Sequence, residues 1–440
     1  MKVSTINRKR CSQLKTKGVA WELFPTELLN EVRSKFAYID EDPFNGKRIF
    51  FENAGGSLRL KSVVDAVADE TAYPDAHSRP NPAAGHLHEL YEKGYAATRI
   101  FLNAKDGVVF VNQTASRAAF SINGAIIENV PGTNVVTTAA EHPSNFDSVT
   151  YYAQKANKEV RMAECDPVDG GVKAEEILKH VDRNTAMLAF MYASNITGAV
   201  LEVQKIIDEA RRIKPDLYIV VDITQQVAHG PIDIDSMNID GAFFAPYKMF
   251  GKRGVGIGWV SERASRLNHE RILDKPITAW DIGSIEPVCI GCMVPVIDYI
   301  CWIGQHYTDA KSQREQIVAG MTAIELQERG LLERALNGTK ETPGLRAIDG
   351  GEALFIHDDF STRDSIIPLS VKNVSPTDVS RKLKERGIIT FERVDNNVMS
   401  KRTLNSLQCP GLVRVSPNHY NSPEEIDAFL RAVKEIAEGR

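Results

Sequence analysis

The sequence predicts an α/β protein with a large domain on a mainly parallel sheet and a smaller α+β domain at the C-terminus. Three observations carry this. Short apolar runs alternate with helical segments between residues 107 and 260, the pattern of a parallel sheet covered by helices. The runs LAFMY and YIVV are apolar throughout, which suits strands buried on both faces. From about Arg314 the pattern changes to long helices and separate strands. A chain of 440 residues is also too long for one small core.

The elements follow in order. Residues 1–22 form a basic tail without the apolar stretch of a signal peptide. It is expected to fray or to dock on the surface, with a transit peptide as the weaker reading. Residues 23–47 hold a helix, Phe24–Phe36, whose apolar positions recur at helical spacing. This segment is expected to join the small domain. The large domain is expected over 48–305. Its strands are Arg48–Glu52, then seven that form the main sheet: Gly107–Val111, Thr133–Thr137, Glu159–Met162, Ala186–Tyr192, Tyr218–Val221, Phe243–Ala245 and Gly256–Val260. Its helices are Leu60–Tyr73, His88–Leu102, Thr114–Glu128, Glu141–Ala156 and Val203–Ile213. Asp75–Gly85, rich in Pro, Asn and Gly, is expected as a loop. The small domain, 306–440, holds helices at Arg314–Arg329, Thr377–Arg386 and Pro423–Glu438. Its strands are Leu354–His357, Ile366–Leu369 and Leu412–Val415.

Composition narrows the function. The chain is 43% hydrophobic and 25% charged, with a formal net charge of −5, which is ordinary for a globular protein. That charge gives no reason to expect a nucleic-acid partner. No run approaches the roughly 20 apolar residues of a membrane span; Val288–Ile303 is interrupted by Gly291, Pro295 and Asp298 and is expected as a core helix. Six cysteines make no disulfide framework, and a reducing cytoplasm suits them. Cys289 and Cys292 form a lone CxxC with no second pair, so no metal site is expected.

The chemistry gathers at strand ends, where ligand sites of α/β sheets form. Asp222 closes YIVVD, and Lys248 follows the run FFAPYK. A buried Asp needs a cationic partner, and a desolvated Lys becomes a nucleophilic amine. Together they suggest a Schiff-base cofactor whose ring nitrogen is kept protonated. His142 follows TNVVTT, where an imidazole can stack on an aromatic ring. Asn195 follows LAFMY. Thr114 and Ala115 open a helix after a strand, a seat for a phosphate. No GxGxxG or GxxxxGK[ST] is present, so a dinucleotide or P-loop site lacks support.

These motifs resemble those of class V, fold-type I pyridoxal-phosphate enzymes of the cysteine desulfurase and isopenicillin N epimerase group. AEHPSN, YASNITG, VDITQQVAH, APYKMFGKRGVGIGWV and LVRVSPNHYNSPEEID carry the likeness, over roughly residues 48–435. The resemblance implies pyridoxal 5'-phosphate as cofactor, with Lys248 in the internal aldimine and Asp222 on the ring nitrogen. It implies His142 stacked on the ring, and Gln225 and Asn195 at the phenolic oxygen. Thr114 and Ala115 would hold the phosphate, and Tyr247 stands where the family often has His beside the Lys. Ser284 would reach the phosphate of a second subunit, making a homodimer with the active site at the subunit interface. Arg414 would grip the substrate carboxylate, His86 is a candidate pocket residue, and His229 has a lining or structural role.

Two departures bear on the reaction. Ala245 replaces a Ser that binds phosphate in the family. The loop Phe391–Gln408 lacks the nucleophilic Cys of true desulfurases, and Cys409 is expected to be structural. The expected activity is therefore a lyase acting on a small L-amino acid through an external aldimine and quinonoid. It would cleave a bond at Cβ (desulfurase- or selenocysteine-lyase-like, desulfination or β-decarboxylation) without a persulfide. Epimerisation and class V transamination are the alternatives.

Overall fold

A computed structural model describes residues 23–74, 77–357 and 359–440. The basic tail at 1–22 lies outside the described residues. The central element is a seven-stranded sheet. Its strands are β1 (Val108–Asn112), β2 (Asn134–Thr138), β3 (Glu159–Ala163), β4 (Thr185–Met191), β5 (Tyr218–Asp222), β6 (Gly241–Phe244) and β7 (Gly256–Val260). They lie in the order β1-β7-β6-β5-β4-β2-β3. Only β7 runs antiparallel to its neighbours; β2 to β6 pair in parallel. The carboxyl ends of β1, β2, β4, β5 and β6 therefore open on one edge.

Helices cover both faces because their apolar residues fall on one stripe. In α3 (Val203–Ile213, after α1 at Ala115–Asn129 and α2 at Pro143–Lys155), the buried residues are Val203, Ile206, Ile207 and Ala210. That spacing of three and four places one apolar face on the sheet. Each large aliphatic buried this way contributes about 1.5–3 kcal/mol. The apolar segment Pro287–Gln305 is long enough for a membrane span by composition, but 72% of its apolar window is buried inside the protein.

The C-terminal part builds a second, four-stranded antiparallel sheet. Its strands are β8 (Gly351–Ala353), β9 (Ile367–Val371), β10 (Phe391–Val394) and β11 (Gly411–Val415), in the order β8-β9-β11-β10. A long helix, α4 (Gln313–Asn337), precedes it. Ile49–Phe50 pairs in parallel with Ile388–Ile389, which ties the start of the chain to its end. The N-terminal segment is expected to join the small domain, and Arg33 Nη1 does donate to the Tyr420 carbonyl at 2.8 Å, but the buried Leu28, Leu29 and Val32 of the helix Thr26–Ser34 pack in the core of the large domain.

Three local expectations need correction. The strand expected at Leu354–His357 is displaced to Gly351–Ala353, because Phe355 adopts φ 58° and breaks the extended run. The loop expected to reach Gly85 ends at Asn81, whose side chain caps a helix starting at Pro82. Both are ordinary N-terminal signals. The loop expected over Phe391–Gln408 contains β10 and a short helix, Lys401–Ser406.

Candidate active site

The strand ends surround one cavity of ≈ 450 Å³. Thr114, Ala115, His142, Asn195, Asp222, Gln225, Tyr247 and Lys248 all line it. The first turn of α1 forms one end. Thr114 takes an extended conformation and caps the helix, accepting from the Arg117 N–H at 3.1 Å. Gln113 and Ser116 line the same end. The helix N-terminus, with its free N–H groups, makes an anion seat. Behind it, β7 presses close: a Cβ on Gly256 would lie 2.0 Å from the Thr114 carbonyl carbon.

Asp222 stands at the end of β5 and is 6% exposed. It accepts from the Thr224 N–H at 2.9 Å. Burial pushes its carboxyl up to about 6, against the pull of that hydrogen bond and of Lys248. A buried carboxylate so weakly supplied with donors fits a cationic ring nitrogen. Lys248 follows β6 in a single 3-10 turn and donates to the Ala54 carbonyl. Burial, followed by the repulsion of Arg414, brings its amine down to about 7. Such an amine is neutral often enough to react.

His142 caps α2 and accepts from the Ser144 N–H through Nδ1 at 3.2 Å. Burial lowers it to about 4, with Lys248, Arg393, Arg402 and Arg414 adding to the effect. It is a neutral ring, able to lie against a cofactor without adding charge. Glu141, beside it, is fully buried and accepts from Thr138, Asn145 and the Met191 N–H at 2.6, 2.7 and 2.9 Å. It binds the end of β2 to the end of β4 and so fixes the turn that carries His142. Burial pushes its carboxyl up to about 7. The anion seat, the buried acid, the amine and the flat neutral ring together fit pyridoxal phosphate.

Three expected residues do not open on the cavity. Arg414, on β11, is fully buried and engaged: it donates to Glu52 at 2.5 Å and to the Asn195 carbonyl at 2.7 Å. Its Nη2 stands 3.2 Å from where a Cβ on Gly55 would be, so it lies just behind the wall. His86 instead bonds the Glu70 carboxylate at 2.8 Å from a half-exposed position. Ser284 is exposed, in a stretch with the exposed Ile282. Cys409 also lies off the cavity, packed by Ile196, Leu404 and Leu412, with burial raising its thiol pKa.

Sequence reasoning missed Arg393. It reaches the cavity from β10, and its Nε is buried without a partner. Burial, then Arg414, lowers its guanidinium to about 10. Arg253 joins it on the wall, 4.0 Å from the Tyr247 ring. The signal of Arg393 in the sequence is only a cation in a charged stretch, which most surfaces share, and Arg253 lies within the motif APYKMFGKRGVGIGWV, where nothing marks it as a cavity residue.

Comparison with known proteins agrees with this architecture. The class-V aminotransferase family profile matches residues 49–270. A probable cysteine desulfurase of Mycolicibacterium paratuberculosis is 25% identical over 93% of this chain, which spans 58% of that protein's length. One from Streptomyces coelicolor is 24% identical, covering 92% of this chain and 96% of its own. In structure, the chain is similar to an apo cysteine desulfurase from Thermococcus onnurineus, with a TM-score of 0.78 and 20% identity. That match covers 96% of this chain and all of the other. A cysteine desulfurase from Escherichia coli gives a TM-score of 0.74 at 18% identity, covering 95% and 99%. The fold is that of the fold-type I enzymes, and the chain belongs to the class-V aminotransferase family, whose members use pyridoxal phosphate.

Proposed function

We propose that the protein is a lyase that breaks a bond at Cβ of a small L-amino acid with an acidic side chain. The observation that carries this reading is Arg393, a cavity-facing guanidinium with no carboxylate partner among the described residues, in a cavity no cysteine lines. When bound, pyridoxal phosphate supplies the electron sink that lets the substrate's Cα proton leave. Asp222 keeps the ring nitrogen charged, the α1 N-terminus holds the phosphate, and His142 covers one face. Lys248 anchors the cofactor and then carries the proton; a pKa of about 7 suits both uptake and return. Arg393 and Arg253 receive the substrate's acidic groups, for which a planar guanidinium offers paired donors. Arg414, held by Glu52, supports that wall from behind.

Loss of a sulfinate or carboxylate from Cβ needs no nucleophilic thiol, which agrees with the place of Cys409. The active unit is proposed to be a homodimer, with Ser284 contributing to the second copy's site. The exposure of Ile282 (44%), two residues before Ser284, supports a covered surface there.

The test is to incubate the protein with cysteine sulfinate, aspartate and cysteine, and to assay alanine, sulfite, CO2 and sulfide. Alanine with sulfite or CO2 is expected to exceed alanine with sulfide. Arg393→Ala should cut the acidic-substrate rate by 10²-fold or more, the order seen when a positioned charge is removed. A preference for cysteine that ignores Arg393 would overturn the reading. Solvent deuterium at Cα with no released product would make the protein an epimerase, and a 2-oxo acid product an aminotransferase.

A further inference from the structure

Gln225 lies at the cavity with an unexplained feature: its Oε1 is buried and has no hydrogen-bond partner. Its Nε2 stands 2.8 Å from His229 Nε2. His229 Nδ1 in turn stands 2.6 Å from Glu328 Oε2, on α4. Glu328 Oε1 accepts from the His419 N–H at 3.1 Å, and His419 Nε2 meets the Tyr299 hydroxyl at 2.6 Å. All are buried: His229 is 3% exposed, Glu328 2% and His419 0%. A polar chain thus runs from the cavity wall through α4 to the segment after β11 and the helix that carries Tyr299.

The proton count on His229 decides how Gln225 stands. A carboxylate only accepts, so Nδ1 must donate to Glu328. If Nε2 is bare, it accepts from the Gln225 NH2, and the amide oxygen faces the cavity. If Nε2 is protonated, it must donate to the amide oxygen, and the NH2 faces the cavity. Oxygen and nitrogen of an amide are distinguished by their network alone. Either way one end of the amide faces the cavity with no protein partner, at a cost of about 1–3 kcal/mol, and the second arrangement leaves there a donor that a ligand oxygen satisfies.

We propose that Glu328 and His229 are positioning residues: as an ion pair they turn the Gln225 carboxamide so that its NH2 faces the cofactor's ring oxygen. The surrounding charges agree. Burial lowers the proton affinity of His229, but Glu328 and Asp364 together outweigh burial and the smaller opposing effect of Lys248, leaving it raised. His229 likewise holds Glu328 below the usual carboxylate range despite burial. The arrangement holds for whichever amino acid the site accepts.

The pair can be read without turnover. In the histidine-¹⁵N-labelled protein, with and without cofactor, His229 should show both ring nitrogens protonated at neutral pH; His229→Gln assigns the signal. In the holoenzyme, Glu328→Gln should raise the pH midpoint of the cofactor's visible absorption by about one unit, a tenfold change in the proton equilibrium. Gln225→Leu should raise it similarly, and adding Glu328→Gln to Gln225→Leu should change nothing further. A purely structural role for Glu328 would leave the midpoint in place, or would shift it undiminished in the Gln225→Leu background. Either result overturns the proposal, as does a neutral His229. Should Glu328→Gln fail to fold, the ¹⁵N signal of the unaltered protein decides.

Discussion

His142 lines the cavity, His229 stands behind its wall at Gln225, and the two are pushed to different charge states. Both are largely removed from water, and burial alone would leave both neutral. His142 sits among Lys248, Arg393, Arg402 and Arg414 and falls to about 4. His229 has Glu328 at 2.6 Å and Asp364 nearby, and rises. One side chain type is therefore held neutral on the cavity wall and pushed toward the cation behind it. Burial does not make the difference; the sign of the neighbouring charges does.

The largest test of this contrast is stability. His229→Leu strands Glu328 as an unpaired buried charge and should cost about 3–5 kcal/mol. His142→Leu loses only a helix cap and should cost about 1 kcal/mol. Urea unfolding of both variants measures the gap, and equal losses would break the contrast. A smaller effect separates the two in pH. His229 is raised, so its contribution is full below its unfolded value and is lost as pH rises through the folded one. His142 is depressed, so the folded state loses stability as pH falls from about 6.5 toward 4. His229→Leu should flatten the alkaline limb of a stability profile, and His142→Leu the acid limb. The smallest effect sharpens the cause: Arg393→Ala should raise the His142 pKa by roughly half a unit to one unit, read by NMR titration.

The parts of the site that the sequence reveals are those set by local order. A polar residue directly after an apolar strand has its place decided by the strand, so Thr114, His142, Asn195, Asp222 and Lys248 could be placed from neighbours alone. Glu328 lies on a helix 99 residues from His229, and Glu52 reaches Arg414 from 362 residues away. No spacing rule connects such pairs; only the closed fold does. Arg393 was hidden for another reason. Its strand, FERV, is a short edge strand with two charged residues, and charge of that kind reads as loop. The same strand supplies the guanidinium on which the proposed substrate preference rests.

The contact behind the first turn of α1 reaches beyond chemistry. Gly256 backs onto Thr114 and Ala115 with no room for a methyl group: the nearest atoms would lie 2.0 and 2.2 Å from a Cβ. Its partner across the ladder is Asn112, two residues before the helix cap. In a library of every substitution along this chain, position 256 should be blank: even alanine should drop out. Thr114 could still change to Ser and keep its capping hydroxyl. A position so closed to variation would then be one that does not line the cavity.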